Sequence, residues 1–165
     1  MAEAFTKLGA DLALTRYVGV ASAIPLESAD SWGGLDLAVV PGGRGERQRR
    51  AELGDLEIVS GRANLGQALI LRLLTPRGGL AALGHETYGS RLGELIGRRN
   101  DETTRNLARL YTLQALREEP RVRRGGVLGL SVTTAPGQPE TVRIAFAVLP
   151  LHDDEPLALG LEVAL

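Results

Sequence analysis

Cysteine is absent from the 165 residues, which excludes a disulfide framework, a thiolate nucleophile and any zinc–thiolate site. Histidine occurs only as His85 and His152, and neither has a second histidine at ligand spacing, so the adjacent His85 and Glu86 do not make a metal site. Aromatic residues make up only 4%, so Leu, Val, Ile and Ala must build the core. No charge prevails: 19 basic and 20 acidic side chains leave a formal net charge of -1, with no general attraction to nucleic acid or an anionic membrane. No apolar run approaches the length of a membrane span. The first seven residues lack the basic-then-apolar layout of a signal peptide. The expectation is a protein made and folded in the cytoplasm, with no cofactor and no direct insertion into a membrane.

Residues 1–54 differ in texture from the rest, and a boundary is placed there: an N-terminal extension over 1–54 and a main domain over 55–165. The run from Pro41 to Arg50 is rich in glycine and arginine without apolar periodicity, which marks a solvated loop. A short pattern recurs at Asp11-Leu12-Ala13-Leu14, Asp36-Leu37-Ala38-Val39 and Asp55-Leu56-Glu57-Ile58. Each could begin a short strand, belonging either to a pairing arm or to the main sheet.

From Asn64 the signals sharpen. Asn64 and Gln67 have capping-box spacing, and Leu65, Ala68, Leu69 and Leu73 then share one helical face, with Ile70 and Leu74 beside them. Thr75-Pro76 ends that helix, because the residue before proline is pushed out of helical geometry. Ser90 is placed to cap a short second helix carrying Leu92, Leu95 and Ile96, stopped by Gly97. A third helix begins near Asn100 or Asp101, with Leu107, Leu110, Tyr111, Leu113 and Leu116 on its apolar face and Pro120 at its end.

The period then changes from 3.6 to 2. Leu128, Leu130 and Val132 alternate with small or polar residues; so do Val142, Ile144, Phe146 and Val148, and then Leu157, Leu159, Leu161, Val163 and Leu165. Proline-rich turns separate the three runs. The fold expected is α+β, about three helices packed on a mainly antiparallel sheet that ends in a C-terminal meander.

Three segments in order carry a resemblance: Leu73-Leu74-Thr75-Pro76-Arg77-Gly78, Tyr88-Gly89-Ser90-Arg91-Leu92, and Glu119-Pro120-Arg121 before a strand. Together they resemble the wedge and sheath-initiator family of contractile phage-tail baseplates, a family often labelled lysozyme-like, with relatives in type VI secretion and extracellular contractile injection systems. The resemblance covers about residues 55–150. It implies a structural, non-enzymatic baseplate subunit with the fold of the sheath subunit's assembly domain. Its partners would be the baseplate wedge proteins, the contractile sheath subunits and the hub or inner-tube initiator proteins, with six copies per baseplate. The particle would assemble in the cytoplasm, with release from the cell left open. It also implies that Glu119, Pro120 and Arg121 dock on the wedge core bundle.

The residues themselves suggest how. Glu119 precedes proline, so its carboxylate is expected to point away from the helix it has left. Pro120 fixes the corner and Arg121 offers a planar fork to a carboxylate or carbonyl. Tyr88, Gly89 and Ser90 are expected to form a structural turn. The final run, Leu157, Leu159, Leu161, Val163 and Leu165, is expected to form an edge strand that a sheath subunit extends.

Two rival readings compete for the same residues. A glycoside hydrolase needs two carboxylates at set separation, one with a raised pKa. Glu86, Glu94, Glu118 and Glu119 are available, but no catalytic pattern joins them. A nucleic-acid module would use Arg44, Arg47, Arg49 and Arg50 or Arg121, Arg123 and Arg124, yet no interleaved aromatics offer base stacking. Neither a nucleic-acid partner nor an enzyme is expected.

Overall fold

In the computed structural model the described residues are 8–13, 39–40, 55–56 and 58–165. Their order is β1 (Ala10–Leu12), β2 (Val39–Val40), β3 (Asp55–Leu56), β4 (Ile58–Ser60), α1 (Gly61–Leu74), α2 (Glu102–Arg117), β5 (Val122–Ala135), β6 (Gln138–Pro150) and β7 (Leu157–Ala164). The class is α+β. The last three strands form one antiparallel sheet in the order β5-β6-β7, while β1 pairs with β4 and β2 with β3 in two small antiparallel ribbons. Short strands therefore occur at or beside each of the three echoed Asp-Leu segments. The arginine-rich run 41–50, with most of 1–54, lies outside the described residues.

Two α-helices are present among the described residues, where three helices were expected. The middle one is a single 3-10 turn, Leu92–Leu95, closed after Gly93 and Glu94 by the extended residue Ile96. Four residues between a tight turn and a glycine cannot complete the nucleus of an α-helix, which fixes three residues for its first bond. Leu92 and Leu95 still bury their side chains in the core.

Helix α1 presents Leu65, Leu69 and Leu73, all essentially buried, at the spacing of one face. Each contributes roughly 1.5–3 kcal/mol by leaving water. It starts four residues earlier than the capping-box spacing suggested, with Ser60 rather than Asn64 at the N-cap position and no side-chain cap bond. Helix α2 has the expected start: the Asp101 carboxylate accepts the Thr104 amide at 2.8 Å. Its buried face is narrower than the leucine pattern implied. Thr104, Ala108, Tyr111, Thr112, Ala115 and Leu116 are buried, whereas Leu110 is 56% exposed. The helix packs on β5, and four of its six buried residues, Thr104, Ala108, Thr112 and Ala115, are small.

Strands β6 and β7 alternate as expected, with Val142, Ile144, Phe146 and Val148 opposite Val163, Leu161, Leu159 and Leu157 on the core face. Strand β5 does not. Register shifts fall between Val122 and Val127 and between Val127 and Gly129, so Leu128, expected inside, is 57% exposed while Val132 is buried.

Candidate docking site

The three sequence segments that carried the resemblance converge on one corner of the molecule. The chain leaving α1 at Thr75 lies beside Tyr88–Ser90 as a short parallel bridge. The Ser90 amide donates to the Thr75 carbonyl at 2.8 Å, the Arg77 amide to the Ser90 carbonyl at 2.8 Å, and the Gly78 amide to the Tyr88 carbonyl at 3.0 Å. Gly89 has φ +105°, and a Cβ there would sit 2.6 Å from both the Thr75 and Pro76 carbonyl oxygens. Only glycine fits. Ser90 is buried; its hydroxyl donates to the Leu73 carbonyl and accepts the Leu92 amide, so it ties α1 to the 3-10 turn.

Glu119 lies at the centre of this corner. Arg72, from the last turn of α1, donates through Nε and Nη2 to Oε2 at 3.3 and 3.1 Å. Arg121 Nε donates to Oε1 at 2.6 Å, and the Arg121 amide completes the clamp. The Arg72 guanidinium lies over the Tyr88 ring at 4.4 Å, a cation–π contact that shields it further. Glu119 is only 4% exposed, and this corrects the expectation of an outward-pointing carboxylate. A carboxylate in an apolar corner is costly to bury, and two guanidinium groups within reach offset that cost. Burial pushes the Glu119 carboxyl up. The hydrogen bond from Arg121 and the charges of Arg121 and Arg72 outweigh it and hold the group below the ordinary glutamate value. What faces water at the corner is Pro120 and the partly exposed Arg121 side chain. Beside them, on the surface, Arg77 and Glu118 pair at 2.7 Å.

The second feature is the free side of β7. Among the described residues β7 pairs with β6 alone, through eight uninterrupted register partners from Thr141–Ala164 to Val148–Leu157. The Leu165 amide donates to the Glu140 carbonyl at 2.9 Å, and this sets the phase of the ladder. In an antiparallel pair the bonded positions alternate, so Leu157, Leu159, Leu161 and Val163 direct their backbone groups to β6. The groups turned away from β6 belong to Ala158, Gly160, Glu162 and Ala164. The leucines expected at the edge are thus largely core side chains on the edge strand, and its open side carries three small residues and Glu162, which pairs with Arg143 of β6 at 2.6 Å. Arg62, from the first turn of α1, fixes where β7 begins. It pairs with the Asp153 carboxylate and donates to the Glu155 and Pro156 carbonyls at 2.8 and 2.7 Å.

The carboxylates considered for hydrolysis are occupied differently. Glu94 pairs with Arg91 at 2.7 Å on the surface, and that hydrogen bond holds its pKa below the ordinary glutamate value. Glu119 is also held down. A general acid at neutral pH needs the opposite direction. Glu86 is exposed. Among the described residues no group of three or more His, Asp or Glu could hold a metal ion, and no helix is long and apolar enough to cross a membrane.

Sequence reasoning missed Arg72, Arg62, Asn64 and Gln67 as buried polar residues. Arginine on the buried side of an otherwise leucine-rich helix is the one signal that could have flagged the first two. No protein-family model matches the chain, and no curated protein matches it. Among solved structures, it resembles the crystal structure of a "putative tail lysozyme" from Geobacter sulfurreducens. The TM-score is 0.52 at 16% identity, covering 62% of this chain and 88% of that one. At that identity the likeness shows a shared fold over the part of the chain it covers.

Proposed function

We propose that the chain is a non-enzymatic structural subunit of a phage-tail-like contractile particle, a sheath initiator that docks on the baseplate wedge and is extended by a sheath strand at β7. The observation that carries this reading is the contrast between the two edges of the sheet. Strand β5 is broken by register shifts, a device that discourages pairing, whereas β7 keeps an unbulged register over its whole length. Three of the four residues with outward backbone groups, Ala158, Gly160 and Ala164, are small, and the fourth, Glu162, is tied to Arg143 of β6, so an incoming strand meets little steric barrier. The fold shared with a protein described as a tail lysozyme, and the three ordered motifs, point to the same kind of particle.

In this reading Glu119 is an internal strut. It fixes Arg121 at the corner, and Pro120 with Arg121 forms the wedge contact. The mechanism is mechanical: a stiff corner seated on the wedge, and an unfinished sheet offered to the sheath. No hydrolytic chemistry is assigned to the carboxylates.

Deleting β7 would not test this, because Leu157, Leu159 and Leu161 are core residues. Gly160→Pro is the cleaner variant, since the Gly160 amide points away from β6 and its loss leaves the internal ladder intact. Particles assembled with Gly160→Pro are expected to show baseplates and bare inner tubes by electron microscopy, with Gly160→Ala sheathed as in wild type. Normal sheaths on particles carrying a folded Gly160→Pro subunit would refute strand addition.

A further inference from the structure

Residues 8–13 are held in an unusual way for so short a segment. Strand β1 pairs with β4 over only three positions, Ala10 with Ser60, Asp11 with Val59 and Leu12 with Ile58, and its residues 9–12 are exposed. Side-chain donors, two of them buried, grip the backbone instead. Asn64 Nδ2 donates to the Leu8 carbonyl at 3.0 Å, Arg121 Nη1 to the same carbonyl at 3.3 Å, and Gln67 Nε2 to the Leu12 carbonyl at 2.9 Å. The Gly61 amide donates to the Gly9 carbonyl at 3.1 Å. Asn64 is 5% exposed and Gln67 1%. A buried amide is costly without partners, and α1 places two of them, one turn apart, where an extended backbone runs past. The side chains at both ends complete the grip: Leu8 enters the core and Ala13 is buried, at 2% and 4% exposure. Gly9 between them has φ +78°, and a Cβ there would lie 3.4 Å from Asn64 Nδ2.

These features describe a receptor for an extended peptide: an apolar pocket, a left-handed glycine, a three-residue ladder and a small-residue pocket, with side-chain donors at fixed spacing. We infer that the groove formed by β4, α1 and Arg121 is an exchangeable strand receptor, filled in cis by residues 8–13 and able to take the same segment from a second copy of the chain. Connectivity supports this occupant. Ala13 is joined to β2 by 25 residues, a contour of at most about 90 Å, so the segment can reach a neighbouring molecule's groove. Leu12 and Ile58 are register partners with 45 residues between them, where a hairpin needs only about 2–5, so the cis pairing gains little from its linkage. Identical segment and groove on every copy make the exchange a form of strand swapping. The inference does not depend on the use of β7.

The test uses the full chain and a labelled synthetic peptide of residues 5–16. Gly9→Val makes the left-handed turn unfavourable and should empty the groove in cis. The Gly9→Val chain is expected to keep a cooperative melt and to bind the peptide saturably by fluorescence anisotropy. Adding Asn64→Leu and Gln67→Leu should weaken binding about 30-fold, roughly fivefold for each hydrogen bond removed. Mixing Gly9→Val with a full chain carrying only Asn64→Leu and Gln67→Leu should give a one-to-one heterodimer in sedimentation, which neither forms alone. Loss of fold in Gly9→Val that the added peptide does not restore would overturn the inference, because an exchangeable occupant can be supplied from another molecule. So would absent binding, or binding indifferent to Asn64 and Gln67. Peptide binding without the heterodimer would overturn the second copy as occupant.

Discussion

Glu119→Gln is the most direct probe of the corner that the motifs build. The wild-type carboxylate takes charged hydrogen bonds on both oxygens, from Arg72 and from Arg121. The amide keeps the shape but turns an NH2 group toward one of the two arginines, setting donor against donor. Arg121, with a side chain 30% exposed, can rehydrate. Arg72 cannot, because its side chain is only 9% exposed. Removing one partner of a buried pair costs about 3–5 kcal/mol, mainly from the stranded charge. The Tyr88 ring at 4.4 Å returns about 1 kcal/mol of this. The expected loss is therefore about 3 kcal/mol, and near 2–4 °C per kcal/mol the melting temperature should fall by about 6–12 °C. Urea unfolding at pH 7 measures it. The decisive arm is the double variant Arg72→Met with Glu119→Leu, which removes both charges and leaves nothing stranded. It should be more stable than the sum of the single variants implies by at least about 2 kcal/mol. A Glu119→Gln loss below about 1 kcal/mol, or additive losses in the double variant, would refute the account of Glu119 as a buried strut.

The turn and the acid limb of stability supply two further tests. Gly89→Ala should cost more than about 3 kcal/mol or prevent folding, because its Cβ meets two carbonyl oxygens at 2.6 Å, while Gly84→Ala, also at positive φ but with nothing within 4 Å, should cost about 1 kcal/mol in the same thermal melts. Glu119, Asp101 and Asp153 are all held below their ordinary carboxylate values: Glu119 by its arginines against the effect of burial, Asp101 first by the Thr104 amide, Asp153 first by the Glu155 amide. Groups with a lowered folded pKa add stability above the ordinary carboxylate value, about 4, and lose it as pH falls through the folded value. The difference in stability between wild type and Glu119→Gln should accordingly be greatest near neutral pH and shrink below about pH 4 in a pH series of urea melts.

Much of this protein was legible in its sequence because the signals concerned are local. Alternation along Val142–Val148 and Leu157–Leu161 located two strands and their core face, since a strand's side chains alternate whatever surrounds it. Asp101 announced the start of α2, because a cap bond spans only three residues. The glycine of the Tyr88–Ser90 turn was likewise marked by its position. Where the reading failed, the deciding partner lay far along the chain. Asn64 and Gln67 have the spacing of a helix cap, yet their amides serve the carbonyls of Leu8 and Leu12, more than fifty residues earlier. Leu128 alternates correctly but sits outside, because the bulges that shift β5 exist only when it is laid against β6. Glu119 shows the limit most plainly. Its place before proline sets the backbone, but Arg72, 47 residues away on another helix, decides where its charge goes. Short-range sterics and periodicity belong to the sequence itself; the pairing of buried charges and amides is settled only when distant segments pack, because leaving such groups without partners costs more than any local preference supplies.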